Sequence, residues 1–183
     1  MPVDRVAIFI DAGYIEKILQ NEFNRSAIDY GRLVTELAAG KELLRAYYYN
    51  CPPYQGSPPT VDESKRKAGA DSFYAQLKKL PRSEIRLGRL TKRSCKKCGD
   101  TVFQQKRADL MLGVDLANMS ARGAISKAVL VAGDSDLIPA VEVAKECGVL
   151  VHLYHGITPH KDLLDLCDDR TQFTKTLIDK VRR

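Results

Sequence analysis

The sequence lacks several features that would place it in common classes of protein. No apolar run approaches the roughly 20 residues that a membrane-spanning helix needs, so we expect no membrane association. The first residues, Met-Pro-Val-Asp-Arg, do not have the pattern of a secretory signal, and the five cysteines are an odd number. We therefore expect a cytoplasmic protein with reduced thiols. No Gly-x-Gly-x-x-Gly follows the first apolar run, which argues against a dinucleotide-binding enzyme.

Basic residues are concentrated in the middle of the chain. Residues 65–107 contain 14 basic and three acidic side chains, a balance of +11, whereas the rest of the chain has a balance of −5. A positive block attracts phosphate backbones, although a solvated lysine-rich face would have the same composition. With 183 residues and 44% hydrophobic content, the chain is expected to form a single domain with its own core.

Short apolar runs alternate with helical patterns. Residues 6–10, 43–50, 128–132 and 149–154 are predicted to be strands, and the first and third of these runs are apolar throughout, as strands buried on both faces are. Predicted helices cover residues 14–21, 29–39, 70–79, 108–121, 139–146, 161–167 and 174–181. This alternation predicts an α/β fold with a central, mostly parallel sheet covered by helices on both faces.

Three segments have more specific predictions. Residues 51–69 hold four of the eight prolines and are predicted to be a long, mobile loop. Residues 85–106 are predicted to be a basic hairpin of two strands around a polar turn. In the helix over residues 108–121, the spacing of the apolar residues predicts a buried stripe made by Leu110, Val114, Ala117 and Ala121 and widened by Met111, Leu112 and Leu116.

Two of the buried-type strands are followed by acidic residues. Asp11 comes after residues 6–10, and Asp134 and Asp136 come shortly after residues 128–132. Ligands of open α/β sheets bind at the carboxyl ends of strands, where the strand order reverses. Clustered carboxylates raise one another's pKa unless a cation neutralises them, and Mg²⁺ takes one or two carboxylates directly while keeping several waters. The local alternative is that these residues cap turns and helices, although one Asp is enough for a cap.

A third acidic position lies at the start of the helix over residues 108–121. Asp109 is in the first turn, where the helix dipole favours a negative side chain, and Lys106 and Arg107 come immediately before it. Asp115 lies six residues further on and is rotated away from Asp109, so we interpret it as a supporting or structural residue.

Three motifs therefore occur in order: Phe9-Ile-Asp11, Lys106-Arg-Ala-Asp109-Leu-Met-Leu-Gly-Val-Asp115 and Gly133-Asp-Ser-Asp-Leu137. Together they resemble the NYN domain family, including its LabA-like branch, in the PIN-like nuclease superfamily. The resemblance covers nearly the whole chain. It implies a PIN-like three-layer α/β/α sandwich that hydrolyses RNA phosphodiester bonds with a metal-activated water. The implied catalytic and metal residues are Asp11, Asp109, Asp134 and Asp136, with Ser135 beside them as a contact to phosphate or to metal-bound water.

Within this resemblance the acidic residues are expected to have different roles. Asp11 and Asp134 are the expected direct ligands of Mg²⁺ or Mn²⁺, whereas Asp109 and Asp136 would hold metal waters or orient the nucleophile. The sequence departs from the family pattern at Tyr14, where the family often has Asn, and also at Ala12, Ala132 and Leu137. We expect Tyr14 and Asp115 to support the site from outside.

The expected partner is single-stranded RNA, and a homodimer is also compatible with the sequence. The residues expected to draw in the RNA backbone are Lys106, Arg107 and Ser135, together with Arg89, Lys92, Arg93, Lys96 and Lys97 of the hairpin. Two other functions remain open. One is a phosphatase that forms an aspartyl-phosphate, although Gly13 occupies the place of its usual second Asp. The other is a non-catalytic RNA-binding or regulatory domain with the same fold.

Cys95-Lys-Lys-Cys98 has the form of half a zinc site. A structural zinc site needs four ligands, and only one such pair occurs, so Cys51 and a histidine or a second copy of the chain would have to complete it. The alternative is two free thiols in a hairpin turn.

Overall fold

The structure is a computed structural model that describes residues 4–94 and 101–183, with the side chains of residues 91–106 left out of the description. Its strands are β1 (Arg5–Asp11), β2 (Glu42–Asn50), β3 (Ser83–Leu87), β4 (Arg89–Ser94), β5 (Thr101–Lys106), β6 (Lys127–Val131), β7 (Leu150–His155) and β8 (Asp169–Gln172). Six of them form a sheet in the order β3-β2-β1-β6-β7-β8, in which every neighbouring pair is parallel. The other two, β4 and β5, form a separate antiparallel pair.

Helices cover both faces of this sheet. They are α1 (Ala12–Glu22), α2 (Tyr30–Ala38), α3 (Val61–Leu77), α4 (Ala108–Ala121), α5 (Ile138–Glu146), α6 (Lys161–Leu166) and α7 (Lys175–Val181). Buried residues of α1, α2, α3 and α7 form one core cluster, and those of α4, α5 and α6 form another. The fold is therefore the predicted PIN-like α/β/α sandwich with a parallel sheet. No helix within the described residues is long and apolar enough to cross a membrane.

The strand β1 lies in the middle of the sheet and is buried on both faces. Its alternate residues Val6, Ile8 and Ile10 belong to the first core cluster, while Ala7 and Phe9 belong to the second. An apolar side chain is needed at each of these positions because both faces are covered by helices. The continuous apolar run thus predicted the strand correctly.

The prediction that residues 51–69 form a loop was wrong in its second half, because α3 begins at Val61. The helix starts with a capping box: the Thr60 hydroxyl accepts a hydrogen bond from the Glu63 amide at 3.2 Å, and the Glu63 carboxylate accepts one from the Thr60 amide at 2.8 Å. These reciprocal bonds satisfy two backbone donors at the helix start. The Thr-x-x-Glu signal was present in the sequence, but the neighbouring prolines concealed it.

The predicted hairpin over residues 85–106 was also too long. Ile85 and its neighbours in β3 pair in parallel with β2, at the edge of the main sheet. Only β4 and β5 pair as an antiparallel hairpin, with Arg89 opposite Lys106. Because Gly88 separates β3 from β4, the chain leaves one sheet and enters the other within a single residue. The strand β8 is a further difference, since no apolar run in the sequence had predicted it.

The helix α4 has the predicted bounds, but only part of its predicted apolar stripe is buried. Leu112, Leu116 and Ser120 are buried against the sheet, whereas Leu110 is 69% exposed and Val114 is 56% exposed. Apolar residues occur all around this helix, so their spacing does not identify the face that packs on the sheet. One apolar face of α4 is consequently left at the surface.

Candidate functional site

The carboxyl ends of β1 and β6 meet at the point where the strand order reverses. The chain runs outward from β1 through β2 to β3 on one side, and from β6 through β7 to β8 on the other. At this position lies an open cavity of about 520 Å³, and Asp11, Asp109 and Asp134 line it together. The three acids come from the end of β1, the first turn of α4 and the segment after β6. The structure therefore brings these three residues together as predicted.

Asp11 is held in place by the helix that follows it. Its Oδ1 accepts a hydrogen bond from the Tyr14 amide at 3.2 Å and so caps the start of α1. Burial raises the pKa of Asp11 to about 6, with a further increase from the nearby negative charge of Asp109. Hydrogen bonds from the amides of Tyr14 and Gly13 oppose this shift without cancelling it. A carboxylate in this position favours a nearby cation, which would stabilise its charged form.

Asp109 is subject to the same kind of shift. Burial raises its pKa above the usual value, and the negative charges of Asp134 and then Asp136 raise it further. Lys17 acts in the opposite direction on both Asp11 and Asp109. The acids are therefore close enough to repel one another, and one lysine only partly compensates for their charge.

The segment after β6 contains a helix cap and two further polar residues near the cavity. Asp134 Oδ1 accepts a hydrogen bond from the Asp136 amide at 3.1 Å, which begins a short 3-10 turn over Ser135–Leu137. The capping role considered from the sequence is thus real for Asp134. Asp136 lies on the other side of this turn, beside the space between α4 and α5, and Ser135 lines both that space and the cavity. Asp136 is not among the residues that line the cavity, so three of the four predicted acids share it.

The sequence reasoning missed several residues that line the cavity. Lys17 and Asn21 of α1 lie on one wall, and Thr158 and His160 of the segment after β7 lie on another. Tyr14, Lys17 and Asn21 follow one another at intervals of three and four residues, so a polar stripe on a helix that starts at Asp11 was visible in the sequence. The segment after β7 had no such signal, because only the strand order brings it next to β6.

Tyr14 connects α1 to this last segment. Its hydroxyl accepts a hydrogen bond from the Gly156 amide at 3.0 Å, and the Ile157 amide donates to the Glu22 carboxylate at 2.9 Å. The Tyr14 ring lies so close to Gly133 that a Cβ at that glycine would be 2.1 Å from the ring. Glycine is thus required at position 133 by close packing. Tyr14 contacts two cavity-lining segments and also lines the cavity itself, so it does not act only from outside the site.

We expect the substitution Tyr14→Phe to lower the free energy of unfolding by about 1 kcal/mol, since it removes one part-buried hydrogen bond and keeps the packed ring. The measurement is the midpoint of urea unfolding. An unchanged midpoint would show that the Gly156 amide bonds equally well to water.

Asp115 supports the fold at a distance from the cavity. Its Oδ2 accepts hydrogen bonds from the Tyr49 hydroxyl at 2.9 Å and from Arg86 Nε at 3.2 Å. It is not among the residues that line the cavity. These contacts join α4 to β2 and β3. Of the two roles considered from the sequence, support of the site or of the fold, they favour support of the fold.

The predicted nucleic-acid contacts are only partly described. Ser135 lines the cavity, and Arg89 and Arg107 are both exposed at the open end of the hairpin, where Arg89 pairs with Lys106. The side chains of Lys92, Arg93 and Lys106 lie outside the described residues, as do Lys96, Lys97 and the cysteines Cys95 and Cys98. Their predicted contacts with RNA or zinc therefore stay predictions.

Metal binding has a limited geometric basis in this structure. Among the residues that the structure describes, no three Asp, Glu, His or Cys side chains are grouped closely enough to form a complete set of metal ligands. The donor atoms that the acids offer are carboxylate oxygens, which suit a hard divalent cation.

Comparisons with known proteins agree with this architecture. One curated relative, "Uncharacterized protein y4oD" of Sinorhizobium fredii, is 34% identical over 82 residues, which cover 42% of this chain and 38% of that protein. The chain thus spans well under half the length of this relative. A crystal structure of a protein of unknown function from Vibrio parahaemolyticus, VPA0982, matches 100% of this chain and 98% of its own, with a TM-score of 0.69. At 18% identity, that match shows a shared fold alone. The NYN domain matches residues 5–177, nearly the full length, and the chain therefore belongs to the NYN domain family.

Proposed function

We propose that this chain is a cytoplasmic, metal-dependent ribonuclease of the LabA-like branch, which hydrolyses phosphodiester bonds of single-stranded RNA. The observation that carries the proposal is the convergence of Asp11, Asp109 and Asp134 in one open cavity at the switch point of the sheet. The raised pKa values of Asp11 and Asp109 support it, because strongly perturbed carboxylates in a cleft are typical of functional sites.

The acids fit a divalent cation that is held partly through water. Asp11 and Asp134 would be its direct ligands, and Asp109 would hold its coordinated waters. Asp136 does not line the cavity and would act through its negative charge on Asp109. Mg²⁺ commonly binds in this way, through one or two carboxylates and several waters, so it does not need three preassembled side chains. When bound, the cation supplies positive charge that activates a water molecule and stabilises the charge on the phosphate.

The protein's own side chains would bind the RNA and handle the proton. Lys17 and the Ser135 hydroxyl line the cavity and can contact phosphate oxygens. Asp109 is a suitable proton acceptor, because its raised pKa brings the carboxylate nearer to neutral pH. Water would attack phosphorus and lose its proton to the Asp109 carboxylate while the bond from phosphorus to the leaving oxygen breaks. A solvent water molecule would then protonate the leaving oxygen, and Asp109 would return its proton to solvent.

The test compares cleavage of labelled single-stranded RNA by the wild type and by Asp134→Asn, with Mg²⁺ or Mn²⁺ and with EDTA. Asn still caps a turn, so the variant should fold. We expect the wild type to cleave only with metal and the variant to be about 100-fold slower. The matched control is Asp179→Asn, which changes an exposed Asp on α7 that pairs with Arg182, and should cleave like the wild type.

Two results would contradict the nuclease proposal. Equal cleavage by the wild type and by Asp134→Asn would indicate a contaminating nuclease. RNA binding without any cleavage by the wild type would favour the alternative function, a non-catalytic RNA-binding or regulatory domain.

A further inference from the structure

An apolar groove of about 700 Å³ lies between α4 and α5, beside the acidic cavity. Its walls include Leu110 and Val114 of α4 and Val143 of α5, which are 69%, 56% and 37% exposed. These are three of the seven large hydrophobic residues that are exposed in the described part of the chain. Exposed apolar residues that cluster in this way mark binding surfaces more often than isolated ones do.

Small residues also line the groove. Gly113, Ala117 and Ala140 line it, and a Cβ at Gly113 would come within 3.5 Å of the Ala140 Cβ. The two helices therefore approach closely where their side chains are smallest. The larger side chains of Leu110, Val114 and Val143 line the same groove and are exposed to solvent.

The groove is continuous with the acidic cavity. Asp109 and Ser135 line both spaces, and Asp136 lies at the groove's polar end. A ligand that places a phosphate in the cavity can thus extend an adjoining group into the groove. That group would meet apolar walls along its faces and the polar side chains of Ser135 and Asp136 at one edge.

We propose, on the basis of the ribonuclease function above, that this groove binds an unpaired nucleobase adjoining the scissile phosphate. A nucleobase has apolar faces and polar edges, which matches the lining of the groove. In a duplex the bases are stacked and paired, whereas in single strands they can be turned outward and held by protein side chains. The groove therefore selects single-stranded RNA.

The size of the groove argues against a protein partner. From Leu110 to Ala117 the helix advances seven residues, or about 10 Å. A stable protein–protein interface usually buries about 800 Å² on each partner, which is far more area than a groove of this length provides. One or two nucleotides fit the length.

The proposal is tested with the double variant Leu110→Ala/Val114→Ala. Dissociation constants are measured by fluorescence anisotropy in an Asp134→Asn background with Mg²⁺, so that the RNA stays intact. The probes are a labelled 12-nucleotide single strand of mixed sequence, the same strand with abasic residues at its centre, and its duplex. Leu150→Ala is the matched control, since Leu150 is an exposed apolar residue at the opposite end of the sheet.

We expect the double variant to bind the intact single strand about 5- to 10-fold more weakly. This loss is at the low end of the range usually measured when a protein loses its contact with one base. It should bind the abasic strand and the duplex as the parent does, because neither places a base in the groove. Leu150→Ala should leave all three affinities unchanged. Thermal unfolding of each variant confirms that it is folded.

Equal affinity of the double variant and its parent for the intact strand would overturn the groove proposal, as would an equal loss of affinity for the abasic strand. A parent that sediments as a dimer and a double variant that sediments as a monomer, with the same RNA affinity, would assign the groove to a second copy. This outcome is independent of the cleavage assay. If the wild type cleaves RNA but the double variant binds RNA as its parent does, only the groove proposal is rejected. If the double variant binds RNA more weakly but the wild type does not cleave, only the nuclease proposal is rejected.

Discussion

Replacing Asp11 by Asn is expected to stabilise the metal-free protein and, at the same time, to abolish its RNA cleavage. The stabilisation follows from the pKa of Asp11, which burial raises to about 6. An unfolded chain has an Asp pKa of about 3.9, so the folded protein holds a proton here more tightly than the unfolded chain does. Ionised Asp11 therefore costs folding free energy that a neutral Asn avoids, while Asn can still cap α1.

The pH dependence of this effect has a definite sign. Because the folded pKa is the higher one, the wild type loses stability as the pH rises from about 4 to about 6. The variant lacks this loss, so its advantage is absent below pH 4 and reaches its full size above pH 6. We expect an advantage on the order of 1 to 3 kcal/mol at pH 7.5 in EDTA. Urea unfolding of both proteins at several pH values measures it.

The loss of activity should be large, on the order of 100- to 1000-fold, because Asp11 is a proposed direct ligand. Added Mg²⁺ should stabilise the wild type but not the variant, since a ligand stabilises only a folded state that binds it.

The control is Asp29→Asn, which makes the same change at the cap of α2. There the Arg32 amide donates to Asp29, and this hydrogen bond lowers the pKa of Asp29. The charged form is thus favoured by folding, and its removal should slightly destabilise the protein. If both substitutions lower the free energy of unfolding, then burial of the charged Asp11 carboxylate does not destabilise the folded protein. The electrostatic argument for a cation site would then be wrong.

Replacing Asp115 by Ala is expected to produce the largest loss of stability, about 1 to 3 kcal/mol. The substitution would leave the Tyr49 hydroxyl without its acceptor, whereas Arg86 would keep its ion pair with Glu84 at 3.1 Å. Tyr49 is 1% exposed, and burial raises its pKa, so its hydroxyl stays protonated and requires an acceptor. For a chain of this length we expect a fall of roughly 3 to 12 °C in the midpoint of thermal unfolding.

The control for this prediction is Asp165→Ala. Asp165 pairs with Arg170 at 3.3 Å on the surface, where an ion pair contributes about 1 kcal/mol at most. Cleavage by the folded Asp115→Ala protein should equal that of the wild type, because Asp115 does not line the cavity. Full stability with lost cleavage would instead make Asp115 part of the site.

Local patterns predicted most of the secondary structure. The bounds of α4 were predicted from its sequence, and the continuous apolar runs identified β1 and β6. Such features depend on side chains within a few residues of one another, so the sequence displays them directly. The start of α3 at its capping box was equally local and was missed only because nearby prolines favoured a loop.

The sequence predicted the site residues that belong to recognisable motifs, but not the others. Asp11, Asp109 and Asp134 were identified by their places at strand and helix ends, and the structure brings them together. Thr158 and His160 were not identified, since their nearness to β6 depends on the neighbouring strand β7. The four-residue strand β8 also has no pattern of its own and exists through its pairing with β7.

By itself the sequence determined the alternation of strands and helices, the resemblance to a family, and the positions of acidic residues at the ends of strands and the start of a helix. The tertiary structure alone decided which face of the apolar helix α4 is buried and that Asp109 and Ser135 belong to two adjoining spaces. The physical reason is that burial and proximity depend on strand order and on the packing of distant segments. When a helix is apolar on every side, its sequence pattern does not predict which side will pack against its neighbours.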